Sequence, residues 1–146
     1  MINPKSIDQL AEAFQKDSSI KVATLAVPRN DREDYLSPNV VKVICNEKGD
    51  AIYFSRSPIP YFRDNPNGPV HFLKHLGIYG YKKSFLLEYV RWSPGVLEDQ
   101  EKLEQLRILE RGHSIHVLVT PYDSLSVDTN QDLEKVEAQF KTVMGV

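Results

Sequence analysis

Apolar residues recur at two different spacings along this chain, and the switches between them mark out its elements. Ile7, Leu10, Ala11 and Phe14 fall at helical spacing. Asn3 can act as an N-cap and Pro4 suits the first helical turn, so residues 4–16 are predicted to be a helix. Residues 20–27, IKVATLAV, read as a strand ended by Pro28. Residues 28–39 are polar and charged, with Pro38, and read as a loop or short helix. VVKVICN at 40–46 and AIYFS at 51–55 are two β-rich runs. Glu47-Lys48-Gly49-Asp50 between them is a glycine-containing turn, so the three together predict an antiparallel hairpin.

The second half alternates in the same way. Residues 57–70 hold four prolines and one glycine and read as a long surface loop, a kind of segment that often carries function. FLKHLGIYGY at 72–81 reads as a strand, with Gly77 and Gly80 marking a bend or a close backbone approach. Residues 83–92 predict a helix with Phe85, Leu86, Tyr89 and Val90 inward, broken by Pro94-Gly95. Residues 97–111 predict a second helix, with Leu103, Leu106, Ile108 and Leu109 apolar and Gly112 as its C-terminal cap. Residues 115–120 predict a strand. Thr129 or Asn130 would cap a last helix to about Thr142, with Leu133, Val136 and Phe140 inward. The fold class is therefore α/β, with a mixed sheet and one antiparallel hairpin, in a single unit over 1–146. The pattern is too short and irregular for a complete doubly wound sheet. Neither G-x-x-x-x-G-K-[ST] nor G-x-G-x-x-G occurs.

Composition narrows the function classes. A chain of 146 residues with 41% hydrophobic and 26% charged residues is an ordinary globular sequence able to bury a core. A net charge of −2 gives no reason to expect nucleic acid or an anionic membrane as partner. No apolar run approaches the ~20 residues that span a bilayer. The first residues show no signal-peptide pattern, so the cytoplasm is the expected compartment. The single cysteine, Cys45, lies in an apolar run and reads as a buried structural thiol.

Several side chains could carry chemistry, and each has a plain structural reading beside the functional one. Arg56 and Arg63 flank the proline-rich loop; a guanidinium fork suits a carboxylate or phosphate, whereas loop arginines are also simply solvated. His75 and Tyr79 stand four apart on a predicted strand and share a face, where they could bond sugar hydroxyls or pack in the core. His71 with His75, and His113 with His116, lack a third ligand at zinc spacing. Glu98, Glu101, Glu104 and Gln105 lie on one predicted helix, with Glu101 and Glu104 as i, i+3 neighbours. Asp128 precedes Thr129 at a strand-to-helix junction, where a simple cap is the common use.

Taken in order, YFSRSPIP at 53–60, FLKHLGIYGY, LEQLRILERG at 103–112 and SVDTNQDLEKV at 126–136 resemble the C-terminal part of the 3-deoxy-manno-octulosonate (KDO) cytidylyltransferases, also called CMP-KDO synthetases. The resemblance implies part of a nucleotide-diphospho-sugar transferase-like, Rossmann-like fold. It implies that Arg56 and the more weakly matched Arg63, with His75, Tyr79, Glu104 and Gln105, line the KDO site. It implies that Asp128 ligates magnesium, the expected cofactor. The family's basic nucleotide loop and its Q-G-D-E-P aspartate have no counterpart in these residues, so most of the CTP site is expected to lie outside them. The chain is expected to be the sugar-acid-binding and dimerisation part, with CTP and KDO as substrates, a homodimer as assembly, and no nucleic acid or membrane partner. The alternative is a non-catalytic sugar-acid-binding or dimerisation fragment.

Overall fold

The computed structural model describes residues 2–124. Its elements run α1 (Pro4–Lys16), β1 (Val22–Arg29), α2 (Arg32–Leu36), β2 (Lys42–Cys45), β3 (Ala51–Ser55), β4 (Phe72–Tyr81), α3 (Lys83–Tyr89), α4 (Val96–Glu101), α5 (Leu106–Glu110) and β5 (His116–Val119). The strands form a five-stranded sheet in the order β3-β2-β4-β1-β5. β1 is antiparallel to β4 and parallel to β5, and β2 is antiparallel to both β3 and β4. The sheet is mixed, and the predicted hairpin is β2–β3. The predicted last helix lies outside the described residues.

Alternation along β1 sorts the core. Ala23 and Leu25 face α1, packing with Leu10 and Leu76 and with partly buried Phe14. Val22 and Ala26 face the other way, into a larger core with Val43, Phe54, Phe85, Tyr89, Leu106, Ile108 and Ile115. Fully burying aliphatic or aromatic side chains of this kind contributes ~1.5–3 kcal/mol each. The hairpin folds over this second face and docks its turn on β5. Ala51 N–H donates to Ile115 O at 2.8 Å, and Val117 N–H to Gly49 O at 2.8 Å. Gly49 allows this approach, having φ +85° with His116 Cε1 only 3.2 Å from where a Cβ would stand.

Several boundaries differ from the sequence expectation for identifiable reasons. β1 continues through Pro28 because its pairing with β5 ends at Ala26, so Pro28 sits where that side of the strand is an edge. The face that α1 buries is Ser6, Leu10 and Ala13, whereas Ile7 is 56% exposed. In α3, Phe85 and Tyr89 point inward as expected, but Leu86 and Val90 are exposed. The predicted helix over 97–111 is two helices, α4 and α5. They are separated at Lys102, which adopts φ 54° and ψ 47°.

Candidate functional site

The site grows from an irregularity in β4. Thr24 of β1 pairs with Tyr79, but the next residue, Leu25, pairs with Leu76, so Gly77 and Ile78 form a bulge. On a regular strand, residues four apart stand ~13 Å apart. Here His75 and Tyr79 lie opposite Ala26 and Thr24, only two residues apart on β1. The bulge therefore keeps the two side chains on one face and brings their ring centroids to 5.4 Å. Gly77 takes the exposed bulge position. Gly80 lets Phe14 of α1 close on the strand, since a Cβ there would be 2.6 Å from Phe14 Cε2.

His75 is buried and Tyr79 half-buried with its hydroxyl enclosed, each in a chemically telling way. His75 is 9% exposed, and burial lowers its pKa from 6.5 to about 4, so the imidazole is neutral at neutral pH. Its Nε2 lies 3.0 Å from Thr24 Oγ1. The Tyr79 hydroxyl is buried with no hydrogen-bond partner among the described residues. Burial, then the neighbouring Tyr81, Tyr89 and Glu104, raises its pKa well above 10 against a smaller lowering by the nearby Thr24 hydroxyl, so it stays a donor. An orphaned buried hydroxyl costs free energy that a ligand oxygen would recover.

Arg56 follows β3 and is more committed than a solvated loop arginine. Of the five N–H donors a guanidinium carries, three go to main-chain carbonyls: Nε to Glu101 O at 2.8 Å, one Nη to Pro38 O at 2.9 Å and the other to Lys102 O at 3.4 Å. Two of these contacts satisfy carbonyls at the end of α4, where the helix stops, and the three together leave two donors for a ligand. Glu101 closes the same corner, its carboxylate accepting from Ser55 Oγ at 2.6 Å and Arg56 N–H at 2.9 Å. Glu101 and Glu104 are thus not the convergent i, i+3 pair expected of one helix, because the chain turns between them. Beneath lies Lys42, 0% exposed, donating to Ser37 O, Val40 O and Arg56 O at 2.6–2.9 Å. Burial lowers its pKa to about 8. This lysine was not singled out in the sequence, where strand alternation in an apolar run gives no sign of a buried charge.

Past the break, Glu104 is exposed and Gln105 is 7% exposed. The Glu104 carbonyl accepts from Tyr89 Oη at 3.0 Å, which ties this turn to α3. Its carboxylate is near enough to contribute to the raised pKa values of Tyr79, Tyr81 and Tyr89, each due first to burial. The rings form a continuous string: Phe54–His75 at 5.0 Å, Tyr79–Tyr81 at 5.8 Å and Tyr81–Tyr89 at 6.0 Å. Arg107 braces its end, stacking over Tyr89 at 5.2 Å and donating to Glu98 Oε2 at 2.6 Å. Glu98 is thus a buried ion-pair partner, with its pKa lowered first by that bond to Arg107.

The structure therefore brings His75, Tyr79 and Glu104 into one neighbourhood, with Gln105 following Glu104 and Arg56 holding the turn just before it. Arg63 is exposed on the proline-rich loop and no bond joins it to these residues. Asp128 lies outside the described residues. Among the described residues no group of three or more His, Cys, Asp or Glu could hold a metal ion. A cleft of about 440 Å³, lined by residues including Asp17, Lys21, Lys48, His113 and His116, lies beyond the Val22 end of β1, away from His75. No helix among the described residues is long and apolar enough to cross a membrane.

The arrangement binds rather than attacks: a neutral imidazole, protonated phenols, a carboxylate, an amide and arginine donors suit an oxygen-rich ligand. Residues 1–115 match the family model described as cytidylyltransferase, and this chain belongs to that family of nucleotidyltransferases. It is 49% identical to the 3-deoxy-manno-octulosonate cytidylyltransferase of Syntrophobacter fumaroxidans over 136 residues, 93% of this chain and 54% of that protein. It is 45% identical to the one of Geotalea uraniireducens, covering 97% of this chain and 60% of that protein. A solved structure of CMP:2-keto-3-deoxy-manno-octonic acid synthetase complexed with CTP superposes with a TM-score of 0.87 at 37% identity. That match covers 97% of this chain and 58% of the other. The chain thus spans little more than half the length of the relatives it matches.

Proposed function

We propose that this chain carries the sugar-acid side of a cytidylyltransferase that joins KDO to CMP. In the reaction a KDO hydroxyl oxygen bonds the α-phosphorus of CTP, the bond from that phosphorus to the pyrophosphate oxygen breaks, and the hydroxyl proton is lost. The observation that carries the reading is the orphaned, buried Tyr79 hydroxyl beside a neutral His75. A polyhydroxylated ligand supplies what both groups lack. Glu104 would accept further hydroxyl protons, and the two remaining Arg56 donors suit the sugar carboxylate. Gln105 and Arg63 would add contacts at the rim. Phosphoryl transfer of this kind depends on positioning and charge neutralisation, and positioning the attacking sugar is the part these residues serve.

Magnesium, ligated in part by Asp128, is the proposed cofactor; it would neutralise triphosphate charge. Among the described residues no group of three or more His, Cys, Asp or Glu could hold a metal ion, and the role proposed for these residues is to bind and orient the sugar acid. The proposed compartment is the cytoplasm. The proposed assembly is a homodimer. Sedimentation at micromolar concentration tests the dimer.

Coverage of only part of each relative favours a second reading, a sugar-acid-binding fragment without catalysis. Two measurements separate them: calorimetric binding of KDO, and pyrophosphate release with CTP, KDO and magnesium. Binding with release supports the enzyme, and binding without release supports the fragment. An absence of KDO binding overturns both.

A further inference from the structure

We propose that Thr24 is a positioning residue that fixes His75 as the Nε2–H tautomer, so that Nδ1 accepts a ligand hydroxyl while Tyr79 donates to ligand oxygen. This rests on the sugar-acid reading of the site and adds which atom of His75 does the work. Thr24 is 0% exposed, and its Oγ1 lies within hydrogen-bond distance of Ile78 O at 2.7 Å, Leu76 O at 3.2 Å and His75 Nε2 at 3.0 Å, with the Tyr79 hydroxyl also beside it. A hydroxyl has a single proton, and a carbonyl oxygen only accepts. The bulge leaves Ile78 without a β1 partner, so its carbonyl has lost the donor that a regular ladder would bring. The Thr24 proton therefore goes to the bulge, and its lone pair faces Nε2. The bond to His75 then exists only if Nε2 carries the hydrogen. The opposite tautomer would set two lone pairs against each other at 3.0 Å inside the core.

The consequence is a matched pair on one face. Nδ1 is the acceptor of a neutral imidazole, and Tyr79 Oη, on the same face, is a donor that completes no hydrogen bond among the described residues. A sugar hydroxyl both donates and accepts, so it satisfies this pair, whereas a carboxylate finds a lone pair at Nδ1 and is repelled. The same bulge that brings the rings to 5.4 Å thus also sets the polarity of one of them.

The test is the long-range proton–nitrogen spectrum of the full chain labelled with ¹⁵N-histidine, near pH 7, with and without KDO. The expected His75 pattern has Nε2 protonated and Nδ1 bare, and KDO moves the Nδ1 resonance upfield. Thr24→Ser should keep the tautomer and hold KDO affinity within about twofold; Thr24→Val should lose the single tautomer and weaken KDO about tenfold. An Nδ1-protonated wild-type spectrum overturns the proposal whether or not KDO binds. A bound KDO that leaves Nδ1 unmoved overturns the acceptor role. Failure of KDO to bind, with Nε2 protonated, overturns the sugar-acid reading and leaves the tautomer assignment supported. If Thr24→Val does not fold, the wild-type spectrum and Thr24→Ser still decide.

Discussion

Replacing His75 by glutamine should flatten the loss of stability on mild acidification. The folded imidazole titrates at about 4 and the unfolded one at 6.5, and the cause is burial. Between those values the unfolded chain holds more protons than the folded one, so stability rises with pH across the window and is lost as pH falls through it. Two and a half units of separation correspond to a maximum of ~3 kcal/mol. From pH 7.5 to 5.5 the contribution of this one group is about 1 kcal/mol, growing to roughly 2–3 kcal/mol by pH 4.5. The upper part of the window is the cleaner one. Glu98 and Asp17, whose pKa values are lowered by hydrogen bonds to Arg107 and Ser19, contribute their own losses only in the carboxylate range. The assay is urea unfolding followed by far-ultraviolet circular dichroism at pH 7.5, 6.5 and 5.5, for wild type and His75→Gln. The wild type should lose about 1 kcal/mol more than the variant between the two ends. Parallel curves would show that His75 is protonated in the folded protein as readily as in the unfolded one. The burial argument, and with it the neutral acceptor, would then fail.

Other substitutions probe other parts of the account. Tyr79→Phe removes a buried hydroxyl that completes no hydrogen bond among the described residues, so it should leave stability unchanged or raise it by up to about 1 kcal/mol in thermal unfolding while weakening KDO about tenfold. Lys42→Met leaves three main-chain carbonyls without their donor and should cost roughly 2–4 kcal/mol in urea unfolding; a neutral result would mean the ammonium is not what joins loop and hairpin. Gly80→Val sets a branched side chain where Phe14 already stands and should cost ~1–3 kcal/mol, read as a lower unfolding midpoint, by prising α1 from the sheet.

Much of the frame was legible in the sequence because local chemistry decides it. Asn3-Pro4 begins α1 and the Asn3 side chain does accept from Lys5 N–H; the glycine turn at 47–50 joins β2 to β3. The glycines of FLKHLGIYGY announced an irregular strand, and the bulge and the Phe14 approach are that irregularity. What was not legible depends on partners far along the chain. VLEDQEKLEQLRILE has unbroken helical propensity, and its break at Lys102 is supported by Arg56, which caps the carbonyls of Glu101 and Lys102 from across the sheet. Lys42 sits in a run whose alternation points it outward, yet it is buried because the segment 37–40 and the end of β3 cover it. For the site, resemblance named Arg56, Arg63, His75, Tyr79, Glu104 and Gln105, and Asp128 for magnesium. Residue type alone left each with a core or surface reading. Thr24 and Ser55 gave no local signal, since their work is to hold other groups, and Glu101 was legible only as a helix-face neighbour of Glu104.

Calorimetric titration of KDO into the 146-residue chain, beside Tyr79→Phe, tests the central claim most directly. The account predicts saturable binding by the wild type and about tenfold weaker binding by a variant that is no less stable. No saturable binding, or equal affinity for the two proteins, would contradict the assignment of this face to the sugar acid.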